Sequence, residues 1–170
     1  MASDMILPPA LALIAAGLLL PLLAGIWRSA LLLAAPLVSL WLVWQVPDGT
    51  VLSMPFLDQQ LVLLSGSKLA RMFATVFSIM AFAGGLYALN QRSNLELAAA
   101  YVYAGSAIGV TFAGDLITLF VFWELMAVAS TLVLWSNGGK ARAAGLRYAL
   151  MHFLGGVILM AGIAGEAATV

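Results

Sequence analysis

Gly114 to Trp135 reads GDLITLFVFWELMAVASTLVLW. Apart from Asp115 at its head and Glu124 near its middle, every residue is apolar or small. The length suits one crossing of a hydrocarbon layer about 30 Å thick, which takes roughly 20 apolar residues in a helix. An ionised carboxylate at mid-depth costs roughly 2.5 to 3.5 kcal/mol on insertion scales, so a residue selected for stability alone would not be Glu. Two readings of Glu124 stand. In one, it is protonated or hydrogen-bonded to a neighbouring helix and fixes packing. In the other, it faces an internal polar path and takes up and releases a proton, as intramembrane acids commonly do. Ala127, Val128 and Thr131 share its face and are small enough to let another helix or water approach.

The rest of the chain has the same character. It is 64% hydrophobic and only 8% charged, with a mean hydropathy of +1.10, against about 25% charged residues in an ordinary soluble domain. This composition predicts an all-α polytopic membrane protein. The formal net charge is zero, so no basic surface points to nucleic acid. There is no Cys, which excludes disulfides and thiolate ligands within these residues, and a single His cannot build a His-rich metal site. No phosphate-binding loop, metal cluster or Ser-His-Asp arrangement is legible, so no cofactor is expected.

About six spans are predicted. Met5 to Ile26 forms the first. Asp4 and the lack of a basic start argue against a signal peptide. Pro8 and Pro9 occupy its first turn, where absent amide donors cost least, and Pro21 should kink it or end its regular part. Trp27 and Arg28 are read as the exit at the interface. Ser29 to about Val46 is the second span, with Pro36 inside it. Pro47-Asp48-Gly49 signals a turn. Thr50 to Leu64 has two β-prone runs around Asp58-Gln59, read as a small extramembrane hairpin or extended loop. Lys68 to Leu89 is the third span, with Lys68 and Arg71 snorkelling to the interface. Leu95 to Ala113 is the fourth. Ser93 and Glu96 have capping-box spacing, and Gly105, Gly109 and Ala113 recur every four residues for close helix packing. Tyr101 and Tyr103 read as packing or interface residues. Asp115 suits the N-cap of the fifth helix, with ion uptake as the minority reading. Ser136 to Gly139 is a helix stop, and the sixth span runs from about Ala141 to Ala164.

Lys and Arg in short loops set orientation. Arg28, Arg92, Lys140, Arg142 and Arg147 fall on one side, Lys68 and Arg71 on the other. This predicts the N-terminus outside and the loop after Trp135 in the cytoplasm. His152 has two readings: a hydrogen-bonded packing residue, or a relay between Glu124 and the Arg147 region, since histidine titrates near neutral pH. Arg147 itself reads as an interfacial anchor or as part of that relay.

The stretch GDLITLFVFWELMAVAST resembles the signature helix of the family that joins the antiporter-like subunits of respiratory complex I to the large subunits of Mrp-type multisubunit cation/proton antiporters. Asp115, Phe120, Phe122, Trp123, Glu124, Leu125 and Met126 carry the likeness. ELAAAYVYAGSAIGVTFAGD before it and AGLRYALMHFLGGVILMAGI after it are similar to that family's fourth and sixth helices. PPALALIAAGLLLPLLAG resembles the start of the D-type Mrp subunit more than the complex I subunits.

The resemblance implies the N-terminal part of a fourteen-helix antiporter-like fold. Residues 1–94 would hold helices one to three, with an extramembrane loop at about 48–67. Residues 95–170 would begin the first of two inverted repeats, left incomplete. Glu124 matches the family's fifth-helix proton-channel glutamate, which pairs with a seventh-helix lysine whose ammonium tunes the acid's proton affinity. That lysine and the second repeat are not in this sequence, so the chain is not expected to transport alone. The implied function is a bacterial inner-membrane subunit that works with other antiporter subunits and exchanges Na⁺ or another monovalent cation for protons. It would not be an enzyme itself. The alternatives are a proton-pumping membrane subunit of complex I or a related hydrogenase, and a truncated remnant that carries no ions.

Overall fold

A computed structural model describes residues 7–56, 59–91 and 93–167. Among them, helix α1 (Pro9–Leu19) is followed by α2 (Gly25–Gln45), strands β1 (Gly49–Phe56) and β2 (Gln59–Gly66), then α3 (Lys68–Tyr87), α4 (Asn94–Phe112), α5 (Leu116–Ser136) and α6 (Gly139–Ala167). Five helices, α2 to α6, are long and apolar enough to cross a membrane, and α1 is a shorter apolar helix. The architecture is that of an α-helical polytopic membrane domain with one small hairpin. Asp4, Asp58 and Arg92 lie outside the described residues.

The first two spans divide earlier than their hydropathy suggests. Pro21 ends α1 in a 3₁₀ turn, Leu20–Leu22. Gly25 then turns the chain with φ +57°, a conformation that favours glycine. Helix α2 therefore begins at Gly25 rather than Ser29, and Trp27 and Arg28 sit in its first turn, not at the exit of α1. Arg28 is more than an interfacial anchor. It donates to Asn94 Oδ1 at 3.0 Å and to the Leu89 carbonyl at 3.3 Å, clamping the start of α2 to the α3–α4 turn.

Packing between helices depends on small residues and on repaired backbone. Gly105 meets α1 so closely that a Cβ would lie 2.8 Å from the Ala10 carbonyl oxygen, and Gly17 of α1 meets α4 in the same way, 2.7 Å from the Ala98 oxygen. Gly109 instead faces the Phe122 ring of α5, so the predicted small-residue stripe serves two neighbours rather than one. Pro36 lacks the amide that would bond the Leu32 carbonyl four residues back. The hydroxyl of buried Tyr101 donates to that carbonyl from α4. Ser39 of α2 donates to the Pro9 carbonyl of α1 at 3.0 Å, a buried bond between the two helices.

The hairpin caps one end of the bundle. β1 and β2 pair antiparallel from Gly49↔Gly66 to Phe56↔Gln59. At its base Arg71 pairs with Asp48 at 2.7 Å and donates to the Val46 carbonyl at 2.9 Å, so Arg71 is held in place rather than snorkelling freely. Lys68 beside it is exposed. Val62 accepts from the Gly114 amide at 2.9 Å, tying β2 to the α4–α5 turn. These contacts place Lys68 and Arg71 at the hairpin end. Arg28, Lys140, Arg142 and Arg147 lie at the opposite end, where α2 and α6 begin and α5 stops.

Candidate functional site

Helix α5 is positioned from its first residue. Asp115 is its N-cap: Oδ1 accepts from the Thr118 amide at 2.8 Å, and Oδ2 accepts from the Thr118 hydroxyl at 2.5 Å and from the Val62 amide at 2.7 Å. Burial raises the proton affinity of this carboxyl. The bonds from Thr118, Val62 and Ile117 outweigh it, and the net pKa falls below the ordinary aspartate value. Both oxygens are committed to structure. At the far end Gly138, with φ +64°, stops α5 in the left-handed conformation.

Helix α6 returns antiparallel along α5. Trp135 covers Gly145, the Ser130 hydroxyl meets the Tyr148 hydroxyl at 2.9 Å, the Trp123 ring lies 5.8 Å from that of His152, and the Glu124 carboxyl rests on Gly156. Ser130 also back-bonds to the Met126 carbonyl at 2.8 Å, so its polar capacity is used within α5 and across to α6.

The structure brings Glu124 and His152 to the same α5–α6 seam. Glu124 Oε1 and His152 Nε2 are both buried and have no hydrogen-bond partner among the described residues. His152 is held between two aromatic rings, Trp123 at 5.8 Å and Tyr148 at 5.7 Å. Beside it, Leu119, Trp123, Met151, His152, Gly155 and Leu159 line an open groove of about 470 Å³. Of the residues that share the face of Glu124, Ala127 and Thr131 are buried, whereas Val128 is exposed. Thr131 donates within its own helix, to the Ala127 carbonyl at 2.8 Å.

Arg147, one turn before Met151 on α6, is exposed, and Asp115 sits at the hairpin end, away from Glu124 and His152. Among the described residues there is no group of three or more His, Cys, Asp or Glu side chains able to hold a metal. Sequence reading missed Gly156 and the Ser130–Tyr148 pair. A period-four count from Glu124 reaches only α5, and it takes the antiparallel register of α6 to reveal what faces it.

Comparison with known proteins finds a family likeness that includes this region. Residues 113–165 match the family model "NADH:quinone oxidoreductase/Mrp antiporter, TM". The chain is similar to the protein named "Putative antiporter subunit mnhA2" of Staphylococcus epidermidis, with 29% identity over 148 residues, which is 76% of this chain and 18% of that protein. The protein of the same name from Staphylococcus aureus strain MRSA252 is 29% identical over 102 residues, 55% of this chain and 13% of its own length. The chain thus spans less than a fifth of the curated relatives it matches. No solved structure matches it. What the comparisons establish is a membrane chain similar, over the α5–α6 pair, to the antiporter-like subunits of Mrp antiporters and complex I.

Proposed function

We propose that this chain is part of a membrane subunit of an Mrp-type multisubunit antiporter, exchanging Na⁺ or another monovalent cation for protons, with Glu124 as the proton-carrying group. One observation carries the reading: a buried carboxyl oxygen at mid-span with no hydrogen-bond partner among the described residues. An acid retained for packing would have its polar atoms satisfied, because most buried polar groups in native proteins are bonded and each exception needs a reason. Proton exchange supplies one, since a group that gains and loses a proton cannot be locked to a fixed donor in both states.

His152, whose Nε2 has no hydrogen-bond partner among the described residues, is the proposed relay toward the end bearing Arg147, and Arg147 is an anchor at that end. Asp115 stays outside the path because its oxygens are committed. Residues 1–94 then form the leading helices and 95–170 the start of the proton-carrying repeat. The membrane is the bacterial plasma membrane. The cation-rich end faces the cytoplasm, and the hairpin and N-terminus face outward. The N-terminal stretch PPALALIAAGLLLPLLAG favours a D-type subunit, and complementation of strains lacking single antiporter subunits tests that choice.

The experiment is Glu124→Gln in the assembled complex, assayed as cation exchange driven by a pH gradient in everted membrane vesicles. Exchange should be abolished at unchanged assembly; undiminished exchange refutes the role of Glu124. A second reading, a proton-pumping subunit of a complex I or hydrogenase type of machine, is favoured by a family model that spans both groups. Vesicles given no electron donor separate them: exchange persists in the first case and is absent in the second.

A further inference from the structure

The seat of the Glu124 carboxyl is a single residue of the facing helix, Gly156. A Cβ built there would overlap Oε1 and stand 2.9 Å from Cδ and 3.5 Å from Oε2. Gly155, Gly162 and Gly165 of the same helix face open space, and Gly145 faces the Trp135 ring. Gly156 is also buried, in a helix whose neighbouring residues are mostly exposed. A glycine inside an exposed helix costs roughly 1 kcal/mol against alanine. Here the missing side chain makes the space that the carboxyl fills.

We infer that Gly156 is a positioning residue: it forms a notch in α6 that seats the Glu124 carboxyl between α5 and α6 and decides where that group loads and unloads. The inference rests on the proposed role of Glu124. Any side chain at position 156 forces the carboxyl to shift off this seat. Aspartate at position 124 is shorter by one carbon–carbon bond, about 1.5 Å, and withdraws the carboxyl enough to clear a methyl group. The two positions are therefore coupled, and glycine is required only opposite the longer acid.

The test uses the assembled complex in native membranes. The first readout is the rate at which dicyclohexylcarbodiimide modifies residue 124, followed by mass spectrometry. Gly156→Ala should change that rate at least fivefold, and Gly162→Ala, which meets nothing, should leave it unchanged. The second readout is exchange activity. Gly156→Ala should cost at least tenfold when residue 124 is Glu and less than threefold in the Glu124→Asp background. Equal labelling in wild type and Gly156→Ala, or equal losses in both backgrounds at normal assembly, overturns the inference. If Gly156→Ala does not assemble, Glu124→Cys with Gly156→Cys replaces it, because the chain contains no cysteine of its own. Ready disulfide formation between the two supports the seat, and its failure overturns it. Labelling reports where the carboxyl lies whether or not ions move. Altered labelling alongside full exchange by Glu124→Gln therefore removes the transport reading and leaves the seat. Unaltered labelling alongside loss of exchange by Glu124→Gln does the reverse.

Discussion

Replacing Asp115 with Ala would release two elements at once. The carboxylate caps α5 through Thr118 and holds the hairpin through the Val62 amide at 2.7 Å. Loss of an N-cap costs about 1 kcal/mol. A hydrogen bond to a charged group contributes about 1.5 to 3 kcal/mol. Asp115 is only half-buried, so water recovers part of the second contribution, and the sum is about 2 to 3 kcal/mol. At roughly 2 to 4 °C per kcal/mol for a chain of this size, the midpoint of thermal unfolding should fall by about 8 °C. Asp115→Asn keeps an acceptor for Thr118 and should lose about half as much. The pH dependence follows from the depressed folded-state pKa. The stabilisation is complete above the unfolded value of about 3.9 and disappears as pH falls through the lower folded value. Thermal unfolding of the detergent-solubilised protein, followed by fluorescence-detected size exclusion, reads both effects. A midpoint unchanged at pH 7, or a gap between wild type and Asp115→Ala that does not narrow below about pH 4, would refute this account.

Other substitutions probe the packing. Tyr101→Phe leaves the Leu32 carbonyl, already deprived of its helical donor by Pro36, without a partner. It should cost about 1 to 3 kcal/mol in the same thermal assay. Gly105→Leu drives a side chain into the Ala10 backbone and should abolish recovery of monodisperse protein, whereas Gly84→Leu, which meets open space, should be tolerated. Asp48→Ala removes one exposed partner of an ion pair and should cost under about 1 kcal/mol. Arg71→Ala also abandons the Val46 carbonyl and should cost measurably more, a difference that survives high salt.

The parts of the fold legible in the sequence were those set by local chemistry. Asp115, as a polar cap before an apolar run, fixed the start of α5. Pro47-Asp48-Gly49 and the two β-prone runs after it marked the hairpin or loop, and Ser93 caps α4 through the Glu96 amide. Boundaries that depend on partners were not legible. Trp27 and Arg28 carry the composition of an interfacial exit, yet they lie in the first turn of α2, because the chain turns at Gly25, and the Arg28 guanidinium is received by Asn94 and the Leu89 carbonyl more than sixty residues away. Arg71 looked like a snorkelling cation for the same reason. Within the candidate site, Glu124 and His152 announced themselves by being polar in an apolar stretch. Gly156 carries no such signal, since its contribution is an absence that only the facing helix reveals.

Helix α6 packs chiefly against α5, and Leu150, Leu154, Val157 and Ile158 on its remaining circumference are uncovered. The wall behind the acid is thus a lever borne on one bearing. Anything that leans on the outer flank of α6 would therefore press on the wall that sets Gly156 against the Glu124 carboxyl.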